Sequence, residues 1–160
     1  MTTAKYETDI LADEKVPTIQ LVRDFDATRE QVFRAHVDPE LYAQWVGPHS
    51  VTTRIIRWDA RTGGEWAFAN DRDGAEIAAF HGSFHELRPN ERIVSTFTYD
   101  GEPDGVALET LTLEELEGGR TRLRVLSVVP DFATRDGMLA GGMDVGVNEG
   151  YAKLDELLAR

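Results

Sequence analysis

The sequence predicts an α+β protein in which a curved antiparallel sheet of about six or seven strands wraps around a long C-terminal helix. Two observations support this fold class. Most of the middle of the chain consists of β-rich segments joined by short turns, a pattern that indicates sequential hairpins. The last segment instead carries apolar residues three and four positions apart, as an amphipathic helix does. Helices and strands do not alternate, which argues against a parallel sheet.

Length and composition favour one domain. The chain has 160 residues, of which 41% are hydrophobic, and no cysteine. We therefore expect a single domain over residues 16–160, after a loose N-terminal arm or short extra strand at residues 1–15. The net charge of -12 argues against nucleic acid and anionic membranes as partners. With no signal peptide or membrane span in the sequence, we expect a soluble, cytoplasmic protein.

The first strand is predicted at residues 16–25, and two short helices follow it. Thr28 is suited to cap the first helix, with Gln31 at the position that completes a capping box. Asp38 and Pro39 repeat the signal, since aspartate is a favoured N-cap and proline a favoured first helical residue.

Six further strands are predicted between the short helices and the C-terminal segment. They cover residues 51–58, 66–68, 77–87, 93–99, 106–116 and 121–128. Glycine, proline and asparagine residues separate them, as expected for hairpin turns. In the strand at 106–116, Leu111 and Leu113 alternate with Thr110 and Thr112, which predicts one buried face and one face in water.

Residues 132–160 are predicted to form the long C-terminal helix. Gly142, Gly146 and Gly150 lie four residues apart within it. Each glycine inside a helix costs about 0.5 to 1 kcal/mol relative to alanine. A stripe of three therefore indicates either close approach of another backbone or empty space for a ligand beside the helix.

The order and spacing of several short motifs resemble the SRPBCC superfamily. The resemblance runs over residues 19–158 and is strongest to the branch that contains the C-terminal domain of the activator of heat-shock protein 90 ATPase. Its main motifs are Arg23 with Phe25, Asp38-Pro39-Glu40, Trp45 with Gly47-Pro48, Asp59 and Arg61 before Gly63-Gly64 and Trp66, Gly82 with Phe84, Glu86-Leu87 with Pro89, and Ile93-Val94. The chain departs from that branch at Val128-Val129-Pro130 and Gly150-Tyr151.

This resemblance implies a START-like helix-grip fold with a hydrophobic cavity between the sheet and the long helix. The wider superfamily includes lipid and hormone carriers, polyketide cyclases and aromatases. Co-chaperone activity belongs to a small part of the branch, whose extra segments this chain lacks. The departures leave the fold expectation intact but carry no information on the ligand.

Ten side chains are candidates for lining that cavity, with ordinary core packing as the alternative for each aromatic residue. They are Trp45, Trp66, Phe68, His81, Phe97, Tyr99, Ser127, Met138, Met143 and Tyr151. Methionines adapt to irregular ligands, and buried hydroxyls need hydrogen-bond partners that a ligand can supply. A structural role is the alternative for His81. The four histidines of the chain are dispersed, so we predict no metal site and no cofactor, and no residue is assigned a catalytic role.

Three functions follow as expectations. The first is binding of a small hydrophobic or aromatic molecule in the cavity. The second is a polyketide cyclase or aromatase-like enzyme, for which only His81, Tyr99 and Tyr151 are plausible proton-transfer residues. The third is a co-chaperone-like interaction module that uses the sheet surface. A homodimer through an edge strand or an exposed helix is also compatible with the sequence.

Overall fold

A computed structural model describes residues 6–160 and confirms the α+β fold class. Eight antiparallel strands form one open sheet in the order β1-β2-β8-β7-β6-β5-β4-β3. Their bounds are β1 Asp9–Ala12, β2 Thr18–Phe25, β3 Thr52–Trp58, β4 Glu65–Arg72, β5 Ala75–Arg88, β6 Arg92–Tyr99, β7 Ala107–Leu116 and β8 Arg120–Val128. Register shifts interrupt β3, β4 and β5, and such bulges bend a sheet.

The N-terminal segment contributes one strand more than the seven predicted segments. β1 pairs with β2, with Ile10 opposite Leu21. Of the two alternatives for residues 1–15, the extra strand is therefore the one observed at Asp9–Ala12. Residues 1–5 lie outside the described part of the chain.

The two short helices follow β2 as predicted, α1 at Arg29–Val37 and α2 at Pro39–Trp45. The capping box is present: the Gln31 backbone N–H donates to Thr28 Oγ1 at 3.2 Å, and the Thr28 N–H donates to Gln31 Oε1 at 2.9 Å. Asp38 caps α2, because its carboxylate accepts from the first free backbone N–H groups of that helix.

The long C-terminal helix is confirmed for α4, Met143–Leu158, but the prediction of one helix over residues 132–160 is wrong. A separate helix, α3, covers Phe132–Ala140. The chain breaks between them because Gly142 has a φ of 87°, in the left-handed region that ends a helix. Apolar periodicity continues across this break, so the pattern alone did not reveal it.

The three glycines of the stripe have different surroundings, and an added Cβ at Gly142 would meet no atom within 4 Å. A Cβ added at Gly150 would lie 3.1 Å from the Trp45 carbonyl oxygen, and one at Gly146 would lie 3.6 Å from Pro48 Cδ. Gly150 thus allows α4 to approach the backbone where α2 ends. Close backbone approach is the correct alternative at this position, with α2 rather than the sheet as the partner.

Buried charge holds the C-terminal half of α4 against the sheet. The Arg23 side chain of β2 is 0% exposed and pairs with Asp155 of α4, with 2.5 Å between Arg23 Nη2 and Asp155 Oδ2. Tyr151 and Leu154 on the same half are buried in the core. The N-terminal half is covered less completely, because Met143 and Val147 pack against the core while remaining half-buried.

Candidate functional site

An aromatic surface covers the inner face of strands β4, β5 and β6. Trp66 and Phe68 are buried, while Phe80 and Phe97 are half-buried and Tyr99 is 41% exposed at the rim. Ring centroids lie 5.1 Å apart for Phe68 and Phe80, 5.4 Å for Phe80 and Phe97, and 5.5 Å for Phe80 and Tyr99. The surface therefore grades from a packed core to rings that a small molecule can reach.

Three aromatic side chains of the helices stand next to this surface. The Tyr42 ring of α2 lies 5.6 Å from Phe68 and 5.3 Å from Trp45. Trp45 stacks on Tyr151 of α4 at 5.9 Å, and its Nε1–H donates to the Ala35 carbonyl at 2.8 Å. That hydrogen bond fixes the indole and leaves the Tyr42 and Tyr151 hydroxyls as the polar groups of this wall.

Three polar residues lie side by side on neighbouring strands at one level of the inner face. Ser95 on β6, Glu109 on β7 and Ser127 on β8 are direct cross-strand neighbours. The row above them pairs Phe97 with Ala107, and the row below pairs Ile93 with Leu111. We call the space bounded by Phe80, Phe97, Glu109, Tyr42 and Met143 the inner cleft.

Burial shifts the pKa values of Glu109 and of the two phenols, Tyr42 and Tyr151. Burial raises the pKa of the Glu109 carboxyl, and an interaction with the Ser127 hydroxyl opposes this rise only in part. Burial first, and then the negative charge of Glu109, raise the pKa values of the Tyr42 and Tyr151 phenols. Both phenols are therefore neutral, and the carboxyl is easier to protonate than one in water.

Ser127 has the most confined of these polar groups. The residue is 5% exposed, and its Oγ makes no hydrogen bond of good geometry with any residue that the structure describes. Buried polar groups in folded proteins nearly always have a partner. An unpartnered hydroxyl beside a desolvated carboxyl is typical of a site that receives a polar group from outside the chain.

The structure places most of the ten candidate residues on or beside the inner cleft. Trp45, Trp66, Phe68, Ser127 and Tyr151 are buried there, Phe97 is half-buried, and Met138 and Met143 are half-buried on α3 and α4. Tyr99 lies at the rim. Contact of any of them with a ligand stays a prediction.

The prediction that His81 reaches the cavity is wrong. Its neighbours in β5, Phe80 and Gly82, point inward, so the alternation of the strand directs His81 to the outer face. There it is 46% exposed and lies 2.6 Å from Asp100. His36 of α1, which is half-buried, is structural: its Nδ1 lies 2.8 Å from the Val32 carbonyl oxygen, and burial lowers its pKa to about 4.

Two residues of the cleft were not identified from the sequence, namely Glu109 and Tyr42. Glu109 follows Ala107 and precedes Leu111 and Leu113 at inward positions of β7, so strand alternation alone would have placed it inside. A charged residue at an inward position is the signal that was available. Tyr42 carried no such signal beyond its place in a short helix.

Surface depressions occur elsewhere on the protein. One of about 440 Å³ is lined by residues of the N-terminal segment, β2 and β8, including Tyr6, Arg23 and Arg122. Another of about 200 Å³ lies at the end of α4 beside Leu158. None of the ten candidates lines either depression. The cavity between the sheet and the long helix stays a prediction, and neither depression lies at its expected position.

Residues 6–160 offer no group of three or more His, Asp or Glu side chains arranged to hold a metal ion. In the same part of the chain, no helix combines the length and the hydropathy of a membrane-spanning segment.

Comparisons with known proteins agree on the family and on the fold of this chain. Residues 26–159 match the family described as "Activator of Hsp90 ATPase homolog 1-like protein". A crystal structure from Chromobacterium violaceum is 30% identical with a TM-score of 0.78, and the alignment covers 90% of this chain and 98% of that one. One from Rhodobacter sphaeroides is 26% identical with a TM-score of 0.84, covering 96% and 98%. A solution structure from Arthrobacter aurescens, at 23% identity, has a TM-score of 0.85 and covers 94% and 91%. No curated protein matched the chain.

Proposed function

The chain belongs to the activator of Hsp90 ATPase homologue 1-like family, and from this premise we propose that it binds a small apolar or aromatic molecule in the inner cleft. The family typically binds hydrophobic ligands. One observation carries the proposal: Phe80 and Phe97 face inward yet remain half-buried beside fully buried aromatic residues. A concave apolar surface with a few convergent polar groups is the usual form of a small-molecule site.

The driving force would be burial of the exposed parts of these rings. Covering roughly 100 to 200 Å² of apolar surface contributes about 2.5 to 5 kcal/mol at about 25 cal/mol per Å², before ordering costs are subtracted. Half-buried Met143 offers a flexible thioether that adapts to ligands of different shape. For a small aromatic ligand, this contribution corresponds to a dissociation constant of about 0.2 mM or weaker.

The experiment compares naphthalene binding to the wild type and to two variants. Phe97→Ala removes part of the cleft wall and should weaken binding by about tenfold, since about 1.4 kcal/mol of ring contact is lost. Leu126→Ser is the matched control, because Leu126 is an apolar residue of β8 that is 40% exposed on the outer face. Wild-type affinity in the control supports the cleft as the site. No saturable binding to the wild type, or equal losses in both variants, contradicts the proposal.

The cyclase-like alternative keeps only part of its predicted chemistry. His81 and Tyr99 are exposed, so of the three predicted proton-transfer residues only Tyr151 is buried at the cleft. Glu109 is the group that favours this alternative, because burial raises the pKa of its carboxyl and so makes it a better proton acceptor than an exposed carboxylate. Conversion of a polyketide substrate that is lost in Glu109→Gln would support it.

The interaction-module alternative is favoured by a different surface. Leu108, Leu126 and Val128 are exposed on the outer face of β7 and β8, where Leu108 and Val128 are cross-strand partners. Exposed apolar patches on a sheet often contact another protein. Co-purification with the host chaperone that is lost in Leu108→Ser and unchanged in Phe97→Ala would support this alternative.

A further inference from the structure

Glu109 lies at an inward position where an apolar residue would pack better. Its neighbours along β7, Ala107 and Leu111, are both buried. Among residues 6–160, no Lys, Arg or His forms an ion pair with it, and the Ser127 hydroxyl is the only group that lowers its pKa. A desolvated carboxyl without a cationic partner is costly, so its position calls for a partner that the chain itself does not supply.

The phenols of Tyr42 and Tyr151 complete a set of polar groups with open hydrogen-bonding capacity. The rings of Tyr42 and Tyr151 both contact Trp45, at 5.3 and 5.9 Å between ring centroids, and the negative charge of Glu109 contributes to the raised pKa of each phenol. No hydrogen bond joins either hydroxyl to another described residue, and neither belongs to the buried polar atoms that lack a partner, so both hydroxyls reach solvent. A phenol donates one hydrogen bond and accepts others, whereas an ionised carboxylate only accepts.

The hydrogen-bond donors and acceptors of Glu109, Ser127, Tyr42 and Tyr151 determine which polar group of a ligand can bind beside them. A hydroxyl can donate to Glu109 and at the same time accept from a Tyr hydroxyl or from Ser127. A ligand carboxylate would meet the negative charge of Glu109 in a poorly hydrated site with no cation beside it, which is unfavourable. A purely hydrocarbon ligand would leave the polar groups unpartnered.

We propose that the inner cleft selects aromatic ligands that carry a neutral hydroxyl group, with Glu109 accepting the hydrogen bond from that hydroxyl. This inference rests on the proposed function, because it names the class of ligand for the same cleft. The rings of Phe80 and Phe97 contact the aromatic body, and Glu109, Ser127, Tyr42 and Tyr151 provide the polar end.

The test uses three probes with one aromatic body: naphthalene, 2-naphthol and 2-naphthoate. Wild-type protein should bind 2-naphthol about tenfold more tightly than naphthalene, since a hydrogen bond to a charged group contributes that much or more. It should bind 2-naphthoate more weakly than naphthalene. Dissociation constants from fluorescence titration measure both preferences.

Glu109→Met should abolish the preference for 2-naphthol, and naphthalene should bind to this variant at least as tightly as to the wild type, because no carboxylate is then left without a partner. The matched control is Glu114→Met on the same strand, whose side chain is 57% exposed and directed away from the cleft. Ser127→Ala should reduce the preference by about threefold. Naphthalene binding by each variant shows directly that the cleft is still folded.

The outcomes separate the two claims. If the wild type binds naphthalene and 2-naphthol equally, or if Glu109→Met keeps the preference, this inference is overturned while the proposed function stands. If the wild type binds none of the three probes, the proposed function is contradicted and the inference with it. Loss of the preference in Glu109→Met and its retention in Glu114→Met support the inference.

Discussion

Replacing Glu109 by glutamine should make the protein more stable at neutral pH. The substitution preserves the shape of the side chain but removes the charge of a half-buried carboxylate that lies opposite Ser127 and raises the pKa values of Tyr42 and Tyr151. Burial of a polar group that lacks a good partner costs about 1 to 3 kcal/mol in proteins. For a chain of this length, each kcal/mol moves the Tm by about 2 to 4 °C.

The pH dependence of this effect has a definite sign. Burial raises the pKa of Glu109 in the folded state above its unfolded value of about 4.3. Between these two values the folded state binds more protons, so the wild type loses stability as pH rises through that window. Below about pH 4 both states carry the protonated carboxyl, and Glu109→Gln and the wild type should become equally stable.

Thermal unfolding followed by circular dichroism at pH 4, 6 and 8 measures the difference, with Glu114→Gln as the exposed control on the same strand. We expect the Tm advantage of Glu109→Gln to grow with pH and the control to show no such trend. A variant that is less stable than the wild type at pH 8 would refute the reasoning. So would an advantage of the same size at every pH.

Two further predictions concern how α4 is held. Arg23→Met should lower the free energy of unfolding by about 3 to 5 kcal/mol because it breaks the ion pair between a fully buried guanidinium and Asp155; urea denaturation measures this. Arg57→Met is the control, since Arg57 is exposed and its Nε lies 3.8 Å from Glu65 Oε1. An equal loss of unfolding free energy in this variant would contradict the stabilising role of the Arg23–Asp155 pair. Gly146→Ala should stabilise by about 0.5 to 1 kcal/mol through helix propensity. Gly150→Ala should destabilise the protein, because the added Cβ would lie 3.1 Å from a backbone oxygen of α2. Equal Tm shifts in the two alanine variants would show that α4 and the end of α2 are not tightly packed at Gly150.

Local sequence signals predicted most of the fold. The capping box of Thr28 and Gln31 and the cap at Asp38 are set by neighbouring residues, so they could be identified without tertiary information. The hairpins of the sheet follow from turn residues between β-rich segments. The break at Gly142 could not be identified in this way, because the apolar spacing of α3 continues into α4 and only the backbone angle separates them.

The site was harder to predict because it depends on which face of a strand each residue occupies. His81 lies between Phe80 and Gly82, and since glycine has no side chain, it does not mark the inner face of β5. Glu109 was overlooked because a charged residue is normally assigned to the water-facing side. Both positions become clear only when the cross-strand register is known.

The most direct test of the central claim is NMR spectroscopy of methyl-labelled methionine during titration with naphthalene. Met138 on α3 and Met143 at the N-terminal end of α4 both pack against the core, beside the proposed ligand. We predict saturable shifts of the Met143 methyl resonance and an intermolecular nuclear Overhauser effect between that methyl group and the naphthalene protons. Saturable binding without any change at Met143 or Met138 would show that the ligand occupies another site and would contradict the account.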